Sequence, residues 1–339
     1  MYFKTATILA WFFGAYLLIL LAVSNWWLIV PLAIVLGLAL AAIGFNIQHD
    51  GAHKAYSRHA WVNKVMALML DLMGGSSYLW DWKHNSIHHT YTNITGHDDD
   101  INLGFLARLS PHQRHYWFHR LQGFYLWALY GFMAIKWHFF DDFYQIAVAR
   151  IGGKSIPRPK GMDLVVFISG KVLFFSMAFV LPMMLHPVMA VLAVYAIAAF
   201  TSGIVLSIVF QLAHCVESAD FPMPVANEHG VEQMQVAWAV HEVQTTVNFC
   251  RGNRVVGWFV GGLNYQIEHH LFPRICHVHY PELSKIIEDG CKQFGVRYAT
   301  HRTMFSAIAS HYRWLVMMGR PVAVPSASQG EAFIRPAGV

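Results

Sequence analysis

Four apolar runs dominate the chain, at residues 6–23, 26–47, 164–185 and 188–212, each near the ~20 residues a helix needs to cross a hydrocarbon core of roughly 30 Å. Only Ser24-Asn25 parts the first pair and only His186-Pro187 the second, so each pair predicts a helical hairpin with an outer turn. No small-residue cleavage site follows the first run, which argues for a retained span rather than a removed signal peptide. Residues 60–82 alternate polar and apolar positions too often to cross. Their aromatic ends, Trp61, Tyr78, Trp80 and Trp82, suit the headgroup level and predict a helix lying along the surface. The aromatic run 123–140 resembles a fifth span, but crossing there would put residue 214 on the opposite side from residue 49. It is therefore expected to be interfacial or re-entrant. Pro281 to Gly295 and His301 to Met318 read as amphipathic helices. Residues 321–339, rich in Pro, Ser, Gly and Ala, predict a disordered tail. The expected fold is an all-α membrane protein with one domain over residues 1–320. Its four transmembrane helices form two hairpins beneath a cytoplasmic helical cap.

Composition agrees with that layout and removes some function classes. The chain is 56% hydrophobic and 13% charged, against roughly a quarter charged in an ordinary soluble domain. A formal charge of +5 suits anionic headgroups or an acidic partner. No dense Lys/Arg run accompanies it, so nucleic acid is not an expected partner. Apart from Lys4 and Lys171, every Lys and Arg lies in residues 49–162 or 214–339, and neither outer turn holds one. By the positive-inside bias both large segments face the cytoplasm, and a multi-pass protein of a bacterial inner membrane is expected. Cys215, Cys250, Cys276 and Cys291 form no C-x-x-C pair and read as free thiols.

The chemistry lies in histidines at the inner ends of the spans. His84-Asn85-Ser86-Ile87-His88-His89 places three imidazoles at i, i+4 and i+5; on an α-helix the first two share a face and the third points about a hundred degrees round. Three echoes follow the same theme: His49-Asp50-Gly51-Ala52-His53, Gln211-Leu212-Ala213-His214 and Gln266-Ile267-Glu268-His269-His270. Eight histidines in four clusters exceed what packing or one zinc ion uses. Imidazole suits zinc, copper, iron and nickel alike, so the count alone does not name the metal. His241-Glu242 lacks the second histidine of a zinc-peptidase motif. A metal transporter would place ionisable ligands in mid-membrane, and a haem protein would place them on facing helices within the bilayer. Neither fits clusters at the span ends.

In order and separation, H-D-G-A-H, H-N-S-I-H-H and Q-I-E-H-H, with Q-L-A-H before the last, resemble the boxes of the membrane fatty acid desaturases. The resemblance runs from about Gly44 to Tyr298 and is closest to the front-end type and its bacterial acyl-CoA or acyl-lipid relatives. It implies a non-haem di-iron centre that uses dioxygen and two external electrons to desaturate a fatty acyl chain. The matching ligands are His49, His53, His84, His88, His89, His214, His269 and His270. Gln266 stands where other desaturases place a histidine, and with His241 it is a further candidate ligand. Glu268 and Asp50, inside boxes, are expected to orient imidazoles. The acidic loop His97-Asp98-Asp99-Asp100 fits a solvated turn as well as a functional one. Tyr78, Trp80, Trp82 and Phe210 are candidate walls of a dry acyl slot. The substrate is expected to be a CoA thioester or lipid-linked chain, and hydroxylation is the alternative outcome. Many front-end relatives carry a fused cytochrome domain with a His-Pro-Gly-Gly haem motif, and no such motif occurs here. A separate ferredoxin, or a small b-type cytochrome with its reductase, is the expected donor, docking near Arg251, Arg254, Arg274 and Lys285.

Overall fold

The computed structural model describes residues 1–321, so the predicted tail lies, but for Pro321, outside the described residues. The chain is mostly helical. Among the described residues, four helices are long and apolar enough to cross a membrane: α1 (Tyr2–Ala22), α2 (Trp26–Ala52), α3 (Met162–Met183) and α4 (Val188–His214). With its apolar composition, this makes the chain a membrane protein. α2 and α4 form the central pair. At Gly37 an added Cβ would sit 2.5 Å from the Ala198 carbonyl and 2.7 Å from the Thr201 side chain, so the two backbones approach as only a glycine permits. Ala33, Ala39, Ala41 and Ala42 continue the small-residue interior. This close approach brings the ends of both helices, and so His49 and His214, to one place.

Between α2 and α3 the expected surface helix is interrupted. Ala60–Ala67 and Met69–Leu72 end at Gly74, whose φ of 93° suits glycine and whose Cβ would meet the Phe174 ring at 2.8 Å. The chain restarts at Ser77–Trp80, capped by the Ser76 hydroxyl accepting from the Leu79 N–H, and runs into π-helical turns over Asp81–His88. The aromatic run is also broken, into Gln122–Tyr130, Met133–Lys136, Trp137–Asp141 and Asp142–Val148. Gly131 packs directly on the Phe200 ring of α4. Lys171 of α3 finds a partner within the protein rather than reaching for water: its Nζ donates to Asp142 Oδ2 and to the Gly74 carbonyl, each at 2.6 Å.

Beyond α4 lie Trp238–Thr245, Gln266–Leu271, Tyr280–Phe294 and Met304–Met318. Among the described residues, three pairings of two residues each qualify the all-helical expectation. Two close local hairpins, and the third joins Asn248–Phe249 in parallel to Thr300–His301. None of the four cysteines is in a disulfide.

Candidate metal centre

Each predicted cluster sits where a helix ends or its winding changes. In α2 a π-helical stretch, Gly44–Gln48, immediately precedes His49. Around His84 the i→i+5 winding changes the expected arrangement: the His89 N–H donates to the His84 carbonyl at 3.2 Å, and the His89 ring lies 4.9 Å from that of His84. On an α-helix the two would diverge. Here His84, His88 and His89 are all available to one centre, an example of a π-turn at a functional site.

The eight histidines come together in adjoining groups. His49, His53, His84 and His269 bring one ring nitrogen each within 4.8 Å of one another, and His88, His214 and His270 do the same. His89 joins the two, grouped with both His269 and His270 and stacked on His270 at 4.3 Å. None of the eight is more than 9% exposed.

Their nitrogens divide into fixed and bare. His88 Nδ1 lies 3.0 Å from Asp98 Oδ2, His270 Nδ1 lies 2.9 Å from Glu242 Oε2, and His269 Nδ1 lies 3.2 Å from the Tyr280 hydroxyl. The Nε2 of each of these three rings has no hydrogen-bond partner among the described residues. His53 Nε2, His84 Nδ1, His214 Nδ1 and both nitrogens of His89 are likewise buried and unpartnered. Burial first, and then neighbouring imidazoles, hold His53, His89, His269 and His270 well below the usual imidazole range, so their lone pairs stay available. At His88 burial acts the same way but is outweighed by Asp98 and Asp100, which raise its pKa. Burial pushes Glu242 up to about 8. So many orphaned nitrogens in a dry interior would be costly in themselves, and they fit a pair of transition-metal ions.

Several expected roles fall elsewhere. Glu268 makes no hydrogen bond to an imidazole among the described residues: its two oxygens accept from the Tyr298 hydroxyl at 2.6 Å and from Asn248 Nδ2 at 2.8 Å. Asp50 accepts from His277 Nδ1 at 2.8 Å and from the Cys276 thiol, serving the loop after the last box. Asp98 is buried, so the acidic loop is not a solvated turn there. His241 stands outside the histidine groups, its Nε2 3.0 Å from the Thr92 carbonyl. Gln266 is buried beside the last box with Oε1 unpartnered. Of the candidate walls, Trp80 stacks on His84 at 4.6 Å and Phe210 on His214 at 4.5 Å. The Tyr78 hydroxyl instead donates to the Pro157 carbonyl, and Trp82 packs on the cluster around Ile151 and Ile156. Arg251 and Lys285 are paired with Glu288 and Glu282, whereas Arg254 and Arg274 are exposed with no ion pair among the described residues.

The reading from sequence missed Glu242, Tyr280 and Thr92, whose hydroxyl donates to Glu242 at 2.9 Å. A lone carboxylate, phenol or threonine far from the box it serves has no spacing to mark it.

Comparison with known proteins shows the family. The family model for fatty acid desaturases matches residues 25–302. An sn-1 linoleoyl-lipid 6-desaturase of Arthrospira platensis is 41% identical, across 94% of this chain and 85% of that protein. One of the same description from Synechocystis sp. is 40% identical, across 94% and 89%. An acyl-lipid (8-3)-desaturase of Physcomitrium patens is 35% identical, across 94% and 66%. The histidine boxes, the four apolar helices and similarity along nearly the whole chain lead to one conclusion: this membrane protein belongs to the fatty acid desaturase family and is an oxidoreductase that desaturates fatty acyl chains.

Proposed function

We propose that the two histidine groups hold two iron ions, and that the enzyme introduces a double bond at carbon 6 of a lipid-linked acyl chain, as the names of its cyanobacterial relatives describe. The observation that carries the metal assignment is the set of buried, unpartnered ring nitrogens converging from four distant segments. His49, His53, His84 and His269 would hold one ion and His88, His214 and His270 the other, with His89 between them. When bound, the metal pair supplies activation of dioxygen and cleavage of unactivated C–H bonds.

The remaining work belongs to side chains. Asp98, Glu242 and Tyr280 each fix one ring nitrogen of a ligand, setting its tautomer and its aim. Trp80 and Phe210 lie flat on two ligands and exclude water from the side where an acyl chain would pass. Overall, two hydrogens leave the chain and dioxygen becomes water, with two electrons and two protons supplied from outside. A ferredoxin, or a small b-type cytochrome with its reductase, supplies the electrons. The Lys/Arg distribution supports a cytoplasmic face for the histidines and a single domain of two hairpins under a cap.

The test is expression in a host that makes linoleoyl lipids but no bond at carbon 6, followed by double-bond localisation. The expected product is two hydrogens lighter, with its new bond at carbon 6. A bond elsewhere rejects the position, and a product one oxygen heavier rejects desaturation.

A further inference from the structure

The four spanning helices enclose a second space, at the end of the bundle away from the histidines. This chamber has a volume of about 340 Å³. Its length follows from α2, whose residues Trp26 and Leu40 line its two ends: fourteen residues at ~1.5 Å each give about 21 Å. The mouth lies at the two outer turns, between Val23, Ser24 and Trp26 on one side and His186 and Pro187 on the other. The floor is Leu40, Leu72 and His138. Past the floor, towards Trp137 and Leu206, lies a small void of about 10 Å³, room for one water at most.

Its walls show what it would hold. π-helical turns occur in both walls, Leu18–Ala22 in α1 and Ser176–Val180 in α3, and each gives a backbone carbonyl to a bond across the bundle. His186 Nε2 donates to the Leu20 carbonyl at 2.8 Å, and the Tyr16 hydroxyl donates to the Met177 carbonyl at 2.8 Å. The other polar pair, Tyr195 and His138, is satisfied internally at 2.9 Å. With the polar side chains of the walls already bonded, water would find few partners inside. An empty space is no better. An apolar cavity of about 150 Å³ already stays dry and takes up benzene, and this one is more than twice that size. The occupant that suits a long, apolar, one-ended slot opening beside an interfacial tryptophan is a single unbranched hydrocarbon tail.

We infer that the chamber binds one acyl tail of a bilayer phospholipid, inserted through the outer mouth, as a resident lipid distinct from the substrate. Such a tail would add apolar contact between the α1–α2 pair and α3 and α4 at the outer end of the bundle, beyond the close packing at Gly37 and beside the two cross-bundle hydrogen bonds just described.

The experiment uses the full-length protein reconstituted with phosphatidylglycerol carrying a photoactivatable diazirine, either next to the ester or at the methyl end of one tail, with cross-links mapped by peptide mass spectrometry. The expected result is ester-end labelling around Val23, Trp26 and Pro187, and methyl-end labelling around Leu40 and Ala199. Ala190→Phe/Val194→Phe, which fills the slot, should abolish both. Delipidated wild type should gain thermal stability when the phospholipid returns, and the filled variant should not. Ester-end labelling confined to the neighbourhood of Trp80 and Phe210, with the methyl end in the chamber, would assign the space to the substrate and overturn the inference. So would an absence of chamber labelling by either probe, or labelling that the folded, filled variant retains.

Discussion

Glu242 and Glu268 are both fully buried carboxylates close to the last histidine box, yet only one of them serves it. Glu242 lies 2.9 Å from His270 Nδ1, while Glu268 is engaged by Tyr298 and Asn248. Glu242→Gln should therefore lower metal affinity by about 10–100-fold, the usual cost of losing the partner that orients a ligand histidine. Glu268→Gln should leave metal affinity within a few-fold of wild type, although it strains the contact to Tyr298. Metal content after graded exposure to a chelator checks both, and equal losses in the two variants would refute the assignment. The contrast also shows how far the residue pattern can be read. Histidines at i, i+4 and i+5 announce themselves because ligation needs several side chains on one turn. Glu242, by contrast, reaches His270 only through the packing of Trp238–Thr245 against Gln266–Leu271, and Glu268 sits within the motif but faces away from it. Asp98 was ambiguous for the same reason: nothing in a run of aspartates says which one the fold will bury.

Lys171 and Asp142 come from helices that a hydropathy reading treats as separate, and their pairing fixes where the broken aromatic run lies against α3. Asp142 is fully buried, with Oδ2 taking Lys171 Nζ and Oδ1 accepting from the Trp137 indole N–H at 2.8 Å. Removing one partner leaves an uncompensated charge in a dry place. Lys171→Met should thus cost about 3–5 kcal/mol, whereas Lys171→Met/Asp142→Leu should recover most of that loss, because the pair's own desolvation roughly cancels its attraction. Thermal unfolding in detergent distinguishes the cases, and a double variant no more stable than the single one would contradict the argument. At this scale the spans were legible, since length and hydropathy suffice where every backbone group must be bonded within its own helix. The segments beside them were not. The break at Gly74 depends on Phe174, and the break at Gly131 on Phe200, both contacts with residues far along the chain. The π-turns that reset the phase of His49 and of His84–His89 leave no mark in the periodicity.

For the whole molecule the questions are which side the histidines face and how electrons reach them. If the Lys/Arg asymmetry sets the orientation, cysteines placed at the exposed positions Ser24 and Pro187 should react with an impermeant reagent in intact cells. Cysteines at exposed Arg58 and Glu228 should react only after lysis, and the opposite pattern would invert the topology. The donor would then dock on the histidine side, and charge decides how. The face expected to be basic is partly neutralised: Arg251 pairs with Glu288, Lys285 with Glu282, and Lys292 with Glu288 and Asp289. Of the four basic residues expected to meet an acidic redox protein, Arg254 and Arg274 are the two that remain unpaired among the described residues and can steer it. Exposed charges act over about 10 Å at 0.1 M salt but only about 3 Å at 1 M. Arg254→Glu/Arg274→Glu should accordingly raise the KM for a reduced ferredoxin several-fold at low salt while leaving kcat at saturating donor unchanged. The gap between variant and wild type should close as salt is added, since these residues speed encounter and do not touch the centre. Turnover that needs no donor protein would remove the donor altogether. A donor KM indifferent to both salt and charge reversal would leave it docking through apolar contacts such as exposed Val255 and Trp258, which flank Arg254 on the same short helix.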